Sequence, residues 1–452
     1  MTDPADLSLP DAAAALRNGT LTSRALTAAV LARIAARNPR LDAFTHVAAD
    51  ALAQADRADS LLAAGDPGPL CGIPVAVKDL IDVAGQPATS GSRVLSGRIA
   101  DCDAAAVARL RAQGAVLIGK VATYEFAMVG PDLSLPDPPA RNPWNPAHVT
   151  GGSSSGSASA VAGGLVRLAI GTDTGGSIRS PSAYSGCVGL KPTYDRVSRA
   201  GAFPLSPSLD HTGPLASTVE EAALALDAMT EASANWRAAS SRIGQGINGL
   251  KAAYARDWFA DDPQASPALV RALDEAASTL SLLGAQITLV TLPDYAPYEA
   301  AASVILHAEA LEEHRALIRD HASAYGRPTL QCLAFGAAID PEDVAKAHEA
   351  QTRLMAEMLQ AMEGYDLILT ATTLTPALPF TAFDDEKAVW TPMRTIAFNL
   401  TGQPALSLPA GFEGGLPLGL QLIARHGDED LLCAAGHAFE RATDHSVQRP
   451  PP

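Results

Sequence analysis

The 452 residues, 47% hydrophobic and 18% charged, are enough for a large buried core and exclude a wholly disordered chain. A formal net charge of −16, from 49 acidic against 33 basic residues, argues against DNA or RNA as a partner. The five cysteines Cys71, Cys102, Cys187, Cys332 and Cys433 lie far apart with no C-x-x-C, which points to free thiols in a reducing compartment.

The acidic start lacks the basic and then apolar pattern of a secretory leader, and no run approaches the roughly 18 apolar residues of a membrane span. A cytoplasmic protein without a membrane partner is expected. Thr22 is placed to cap a helix over 22–37 with Leu26, Val30, Leu31 and Ile34 on one face and Asn38-Pro39 as its stop. A second helix is predicted over 48–64, a buried strand over 73–77, a helix over 104–113 closed by Gly114, and a strand over 115–118. This strand–helix–strand rhythm predicts an α/β fold with helices covering a sheet.

Six prolines within 130–146 exclude helix and central strand there. A helix over 155–163 and a strand over 166–170 follow, then an irregular segment over 195–214. Thr218 and Glu221 form a capping box for a helix to 229, and the polar stretch 233–248 separates an inner from an outer region. Strands are expected at 250–254, 286–292, 367–371, 405–408 and 419–423, and helices at 266–283, 296–322, 341–362 and 429–442. No internal repeat is evident.

Two small-residue loops stand either side of an apolar run: Gly151-Gly-Ser-Ser-Ser-Gly-Ser157 and Gly171-Thr-Asp-Thr-Gly-Gly-Ser-Ile-Arg179. In the second, Ser177 is placed as a nucleophile, with backbone N–H groups of Thr174, Gly175, Gly176 and Ser177 able to converge on one oxygen. A lone Gly-Gly-Ser is more often a simple turn. Ser153 follows a glycine pair in a stretch that fits neither a flexible linker nor a phosphate loop. Lys78 ends an apolar run, where desolvation would turn it into a general base; a lysine paired with Asp79 is the competing reading. No H-E-x-x-H is present. His307 and His314, with Glu309, Glu312 and Glu313 nearby, read as a solvated helix face and not as a metal site. His211 and His426 remain weak acid–base candidates.

Together with Gly72-Ile-Pro-Val-Ala-Val-Lys78-Asp79, these loops resemble the amidase signature family. The intervals fit: 75 positions from Lys78 to Ser153 (153 − 78) and 24 from Ser153 to Ser177 (177 − 153). The likeness continues through Cys187-Val-Gly-Leu-Lys-Pro-Thr193, Asp210-His-Thr-Gly-Pro-Leu215 and Thr401-Gly-Gln-Pro-Ala-Leu-Ser-Leu-Pro-Ala-Gly411, covering about 10–440. It implies one amidase domain over 1–452, with a signature core near 72–215 and an outer helical region near 230–365. The sheet it implies is large, mixed, mostly parallel and helix-covered on both faces. It further implies a Ser–cisSer–Lys triad: nucleophile Ser177, bridging Ser153 on a cis peptide after Gly152, and base Lys78. Gly152, Ser154, Asp173 and Arg179 would brace these groups, with no cofactor and no metal. Ser155 and Thr150 depart from the glycine and proline usual at those positions.

Similar enzymes cleave amides, carbamates (urethanes) and urea derivatives. Tyr124, Phe126, Met128, Val129, Leu133, Ile178 and Phe203 are expected to form an apolar pocket, with 196–211 as a lid. That favours a small-molecule amide or carbamate carrying an aryl or apolar group. The alternative is a glutamine-hydrolysing subunit of a tRNA-dependent amidotransferase, whose usual Asn-Glu-Asn-Ser stretch is replaced here by Gly130-Pro-Asp-Leu-Ser-Leu-Pro-Asp-Pro-Pro139. A non-catalytic binding protein would require a damaged triad. A homodimer is common among similar proteins.

Overall fold

Val75-Ala-Val77 and the run from Val116 to Val121 are buried on both faces, as strands are when helices cover a sheet from both sides. The computed structural model describes residues 3–65, 68–231, 236–383 and 387–451. Its strands in chain order are β1 (Phe44–Val47), β2 (Pro74–Lys78), β3 (Val116–Val121), β4 (Leu168–Asp173), β5 (Val188–Lys191), β6 (His211–Ala216), β7 (Lys251–Tyr254), β8 (Gln286–Leu289), β9 (Leu367–Ala371), β10 (Ala405–Glu413) and β11 (Leu416–Ala424). All eleven share one sheet, ordered β1-β3-β2-β4-β6-β5-β10-β11-β9-β7-β8. Strands from 251–371 therefore extend the sheet begun by the loop-bearing strands β2 and β4.

The sheet is mixed, as expected, but it is not mostly parallel. Six of the ten neighbour pairings are antiparallel and four parallel. The tight Gly414-Gly415 turn, both residues at positive φ, folds β10 onto β11 as a hairpin. The centre of the sheet is antiparallel because β6 runs back along β4, from Asp173↔His211 to Leu168↔Ala216.

Most helices fall where periodicity and caps place them. Thr22 Oγ1 accepts from the Ala25 N–H at 3.1 Å and starts the helix Ser23–Leu41. Pro39 does not stop it. In the last turn proline forfeits only its own backbone bond, and the helix ends instead at Asp42, which adopts φ 49°. Thr218 caps Val219–Met229 as predicted, its hydroxyl accepting from Glu221 N–H at 3.3 Å. Strands β1, β5 and β6 and the helix Arg327–Ala337 are additions to the predicted elements. β6 overruns the segment expected to be irregular up to 214; its Gly213-Pro214 conceals a strand held by β4 on one side and β5 on the other. Within the predicted separator, 233–235 lies outside the described residues, and 236–248 carries only a short 3-10 turn at Ala239–Arg242.

The helix Ser155–Ala162 packs against β3 and β4. A Cβ at Gly156 would come within 2.2 Å of the Ala122 backbone nitrogen, so only glycine allows that contact. No helix among the described residues is long and apolar enough to cross a membrane.

Candidate active site

β2 and β4 are parallel neighbours, with Val77 opposite Ile170, so their ends deliver Lys78 and Thr172 to the same place. Lys78 Nζ donates to Ser153 Oγ and to Thr172 Oγ1, both at 2.8 Å. Ser153 reaches it from the turn before Ser155–Ala162, and the Gly152–Ser153 peptide is cis. A Cβ at Gly152 would strike the Tyr124 ring at 2.2 Å. The Tyr124 N–H donates to the Ser153 carbonyl at 3.1 Å, and the Ser154 N–H to the Ser177 carbonyl at 3.1 Å, which clasps the two serine loops together. Ser154 Oγ adds a bond to the Thr172 carbonyl at 3.1 Å.

Lys78 is wholly buried. Burial pushes its pKa down to about 7, against an upward pull from the Asp173 and Asp210 carboxylates. Much of Lys78 is therefore a free amine near neutrality, with Ser153 as its hydrogen-bond partner. Asp79 is not its counter-ion: Asp79 pairs with the buried Lys120 at 3.1 Å and accepts from Thr89 Oγ1 at 2.5 Å.

The loop carrying Ser177 is held by a buried ion pair. Asp173 Oδ1 accepts from Arg179 Nη2 at 2.8 Å and from the Gly176 N–H at 2.9 Å. Its Oδ2 accepts from Arg179 Nε and the Ile178 N–H, both at 3.0 Å. Arg179 also donates to Thr395 O (2.8 Å), Gln421 Oε1 (2.7 Å) and Asn399 Oδ1 (2.6 Å). Burial alone would raise the Asp173 pKa, but Arg179 beside it holds the carboxyl well below the usual carboxylate range. Of the N–H groups expected to face one oxygen over 174–177, that of Gly176 is instead committed to Asp173. Gly176 serves by its backbone, at φ +132°.

Ser177, half-buried, lies in the wall of a cavity of about 50 Å³ lined also by Tyr124, Met128, Val129, Leu205, Leu306, Trp390 and Met393. Of the predicted pocket residues, Tyr124, Met128 and Val129 are there. Phe126 is not: fully buried, it packs on Phe203, His314 and Tyr325 at ring distances of 4.9, 4.5 and 5.4 Å. Leu133 is on the surface, 48% exposed, and Ile178 points into the core. Phe203 borders a different cavity, with Leu80, Thr172, Asp210 and His211. The 389–393 segment, Leu205 and Leu306 supply the remaining walls. Trp390, an aromatic residue in a polar stretch, is their one sequence signal.

The remaining candidates stand apart from Ser177. His307 and His314 are buried, not on a solvated face; His314 Nδ1 meets the Tyr325 hydroxyl at 2.7 Å, and burial pushes its pKa down to about 4. His211 Nδ1 meets the Leu209 carbonyl at 2.7 Å, and burial holds the ring neutral. His426 Nε2 meets the Thr401 carbonyl at 2.8 Å. Among the described residues no group of histidine, cysteine and acidic side chains could hold a metal, and the cysteines are free thiols, all buried except Cys102.

A lysine, two serine loops and a buried Asp–Arg brace at the ends of parallel strands define a class of C–N hydrolase. The chain belongs to the amidase family, whose model matches residues 25–433. It is 39% identical to the A subunit of the glutamyl-tRNA(Gln) amidotransferase of Roseiflexus sp. (strain RS-1), over 98% of each chain. Among solved structures it superposes with a TM-score of 0.89 at 31% identity on a chain of an inhibitor-bound vestigial complex linked to the origins of an s-triazine catabolic enzyme, covering 96% of this chain and 98% of that one. The peptide amidase of Stenotrophomonas maltophilia superposes with a TM-score of 0.85 at 31% identity over 99% of each chain. The protein is an amidase-family enzyme that hydrolyses amide C–N bonds.

Proposed function

We propose that this chain hydrolyses small neutral amides or carbamates with an apolar or aryl group, through Ser177, Ser153 and Lys78. The observation that supports this is the lining of the cavity at Ser177, which among the described residues carries no charged side chain. Glutamine presents an α-ammonium and an α-carboxylate, and desolvating both without partners would cost several kcal/mol, on the order of that for any unpaired buried ion. A neutral amide with an apolar arm incurs no such cost.

In the first step neutral Lys78 takes the Ser153 hydroxyl proton while Ser153 takes that of Ser177. Ser177 Oγ then bonds to the carbonyl carbon. The developing oxyanion accepts from the N–H groups of Gly175 and Ser177, with Thr174 adjacent. As the C–N bond breaks, the leaving nitrogen takes a proton from Ser153, and Lys78 returns its proton to Ser153. Water repeats the sequence on the acyl- or carbamoyl-enzyme, releasing the acid and restoring Ser177.

A second reading, the glutamine-hydrolysing component of an amidotransferase, is favoured by the 39% identity to an amidotransferase chain. The sequence relatives support it more directly than they support the first; the uncharged cavity supports the first. Amine release from an aryl amide, an aryl carbamate and glutamine, with Ser177→Ala beside the wild type, separates them. Turnover of the amide or carbamate that the variant abolishes upholds the first reading. Turnover of glutamine alone, or only with an added partner chain, replaces it with the second.

A further inference from the structure

Asp210 has no part in the chemistry above, yet its carboxylate joins three pieces of the site. Its Oδ1 accepts from Thr174 Oγ1 at 2.6 Å, at the start of the loop that carries Ser177. Its Oδ2 accepts from the N–H groups of Leu205 at 2.9 Å and Ser206 at 3.1 Å, and Leu205 is a wall of the cavity at Ser177. With Thr172, whose hydroxyl accepts from Lys78, Asp210 also lines a second cavity of about 160 Å³. Outside, the same loop is pinned by Glu309, which accepts from Ser206 Oγ at 2.6 Å, the Ser208 N–H at 3.0 Å and Ser208 Oγ. Glu309 belongs to the helix Tyr295–His321, whose Leu306 faces the cavity at Ser177.

We propose that Asp210 is a positioning residue for this hydrolysis: its carboxylate locks the Ser177 loop, through Thr174, to the wall of the substrate cavity at Leu205 and adds a buried anion to the surroundings of Lys78. This rests on the amide-hydrolase reading. The charged groups around Asp210 are few. Arg199 borders the same cavity; its guanidinium bonds Asp195 at 2.6 Å and the Pro207 carbonyl, and its charge works against the burial that raises the Asp210 pKa. His211 is neutral, and Asp173 is ion-paired with Arg179. Asp210 and Asp173 are the two anions that raise the proton affinity of Lys78. Asp173 exerts the larger pull but is paired with the buried Arg179; Asp210 is the anion that a substitution removes without stranding that guanidinium. Burial lifts its own pKa to about 6, which leaves it ionised in the range where Lys78, at about 7, gives up its proton.

The test is Asp210→Asn, read in two ways: the pH profile of kcat/KM on the amide that the wild type turns over, and the titration of Lys78 by NMR in lysine-labelled protein, which needs no substrate. Loss of the anion is expected to move the acid limb and the Lys78 midpoint to lower pH. Asparagine offers one acceptor oxygen where aspartate offers two and no charge, so the loop N–H groups and Thr174 Oγ1 can no longer both donate to it, and kcat is expected to fall about 10-fold from misplacement of Ser177. Glu309→Gln is expected to raise KM through the loosened wall while the midpoint stays in place. Should Asp210→Asn not fold, Thr174→Val reports on the same link. A carboxyl without that hydroxyl donor holds its proton to higher pH, so the limb again moves down. An unmoved or raised Lys78 midpoint overturns the proposal. A wild type that turns over no amide while the midpoint still moves overturns the hydrolase reading instead.

Discussion

Replacing Lys78 with methionine should abolish amide hydrolysis and yet shift stability in the chain's favour at low pH. An unfolded lysine titrates near 10.5 and the buried Lys78 near 7. At about 1.36 kcal/mol per pH unit, that gap corresponds to at most about 5 kcal/mol. The sign follows from linkage. Between about 7 and 10.5 the unfolded chain keeps a proton that the native chain has released, so wild-type stability rises with pH across that range. It therefore falls as the pH drops through that range: the cost of the buried ammonium is present in full below about 7 and gone above 10.5. Methionine removes it, but leaves Ser153 Oγ and Thr172 Oγ1 without their donor at 2.8 Å. That loss is worth about 1–3 kcal/mol for each and does not depend on pH. Urea unfolding of both proteins at pH 6, 8 and 10, followed by tryptophan fluorescence, isolates the pH-dependent part. The variant should gain on the wild type by about 4 kcal/mol between pH 10 and pH 6, since part of the penalty is already present at pH 10. A difference that stays constant across the series, or shrinks toward acid, would refute a desolvated Lys78.

The same titration governs the rate: kcat/KM should fall about tenfold per pH unit below about 7, and a profile flat down to pH 5 would rule out Lys78 as the base. Arg179→Met should cost about 3–5 kcal/mol of stability, because it strands the buried Asp173 carboxylate. Chemical denaturation reads this directly, and a loss under about 1 kcal/mol would mean that the pair is not the brace described. Trp390, 52% exposed at the cavity at Ser177, should act on affinity. Trp390→Ala is expected to raise KM for an aryl amide about tenfold, the worth of a lost aromatic contact, with kcat and a short aliphatic amide unaffected. Equal losses on both substrates would place the ring outside the binding site.

Lys78, Ser153 and Asp173 are legible in the chain because each sits in a short stretch whose local chemistry is distinctive: a lysine closing an apolar strand, a serine after paired glycines, an acid two residues before Gly175-Gly176. The α/β class is legible too, since buried strands and capped helices write their periods locally. Strand direction is not. β6 carries Gly213 and Pro214 and follows a long loop, and only its ladder with β4 and β5 makes it a strand. The substrate cavity is the least legible part. Closeness to Met128 in sequence assigns Phe126 to it, but a φ of 50° turns that residue into the core beside His314, and of the two only Met128 faces the cavity.

Thr172 illustrates where the boundary falls. It sits inside the loop quoted for Ser177, one residue before Asp173, and alternation along β4 sends the two side chains to opposite faces. Asp173 braces the Ser177 loop on one face; Thr172 meets Lys78 on the other. The strand expected over 166–170 stops short of both residues, and the bond to Lys78 needs β2 paired beside β4, so the folded sheet and not the sequence supplies it. The partners of Arg179 are farther off still: Asn399 and Gln421 lie 220 and 242 residues away. The reach of a guanidinium with five donors, buried among segments so distant in the chain, is fixed by tertiary structure alone. Local motifs can therefore specify the reacting atoms of such a site, while its rigidity and its substrate walls come from segments that only the folded sheet brings together.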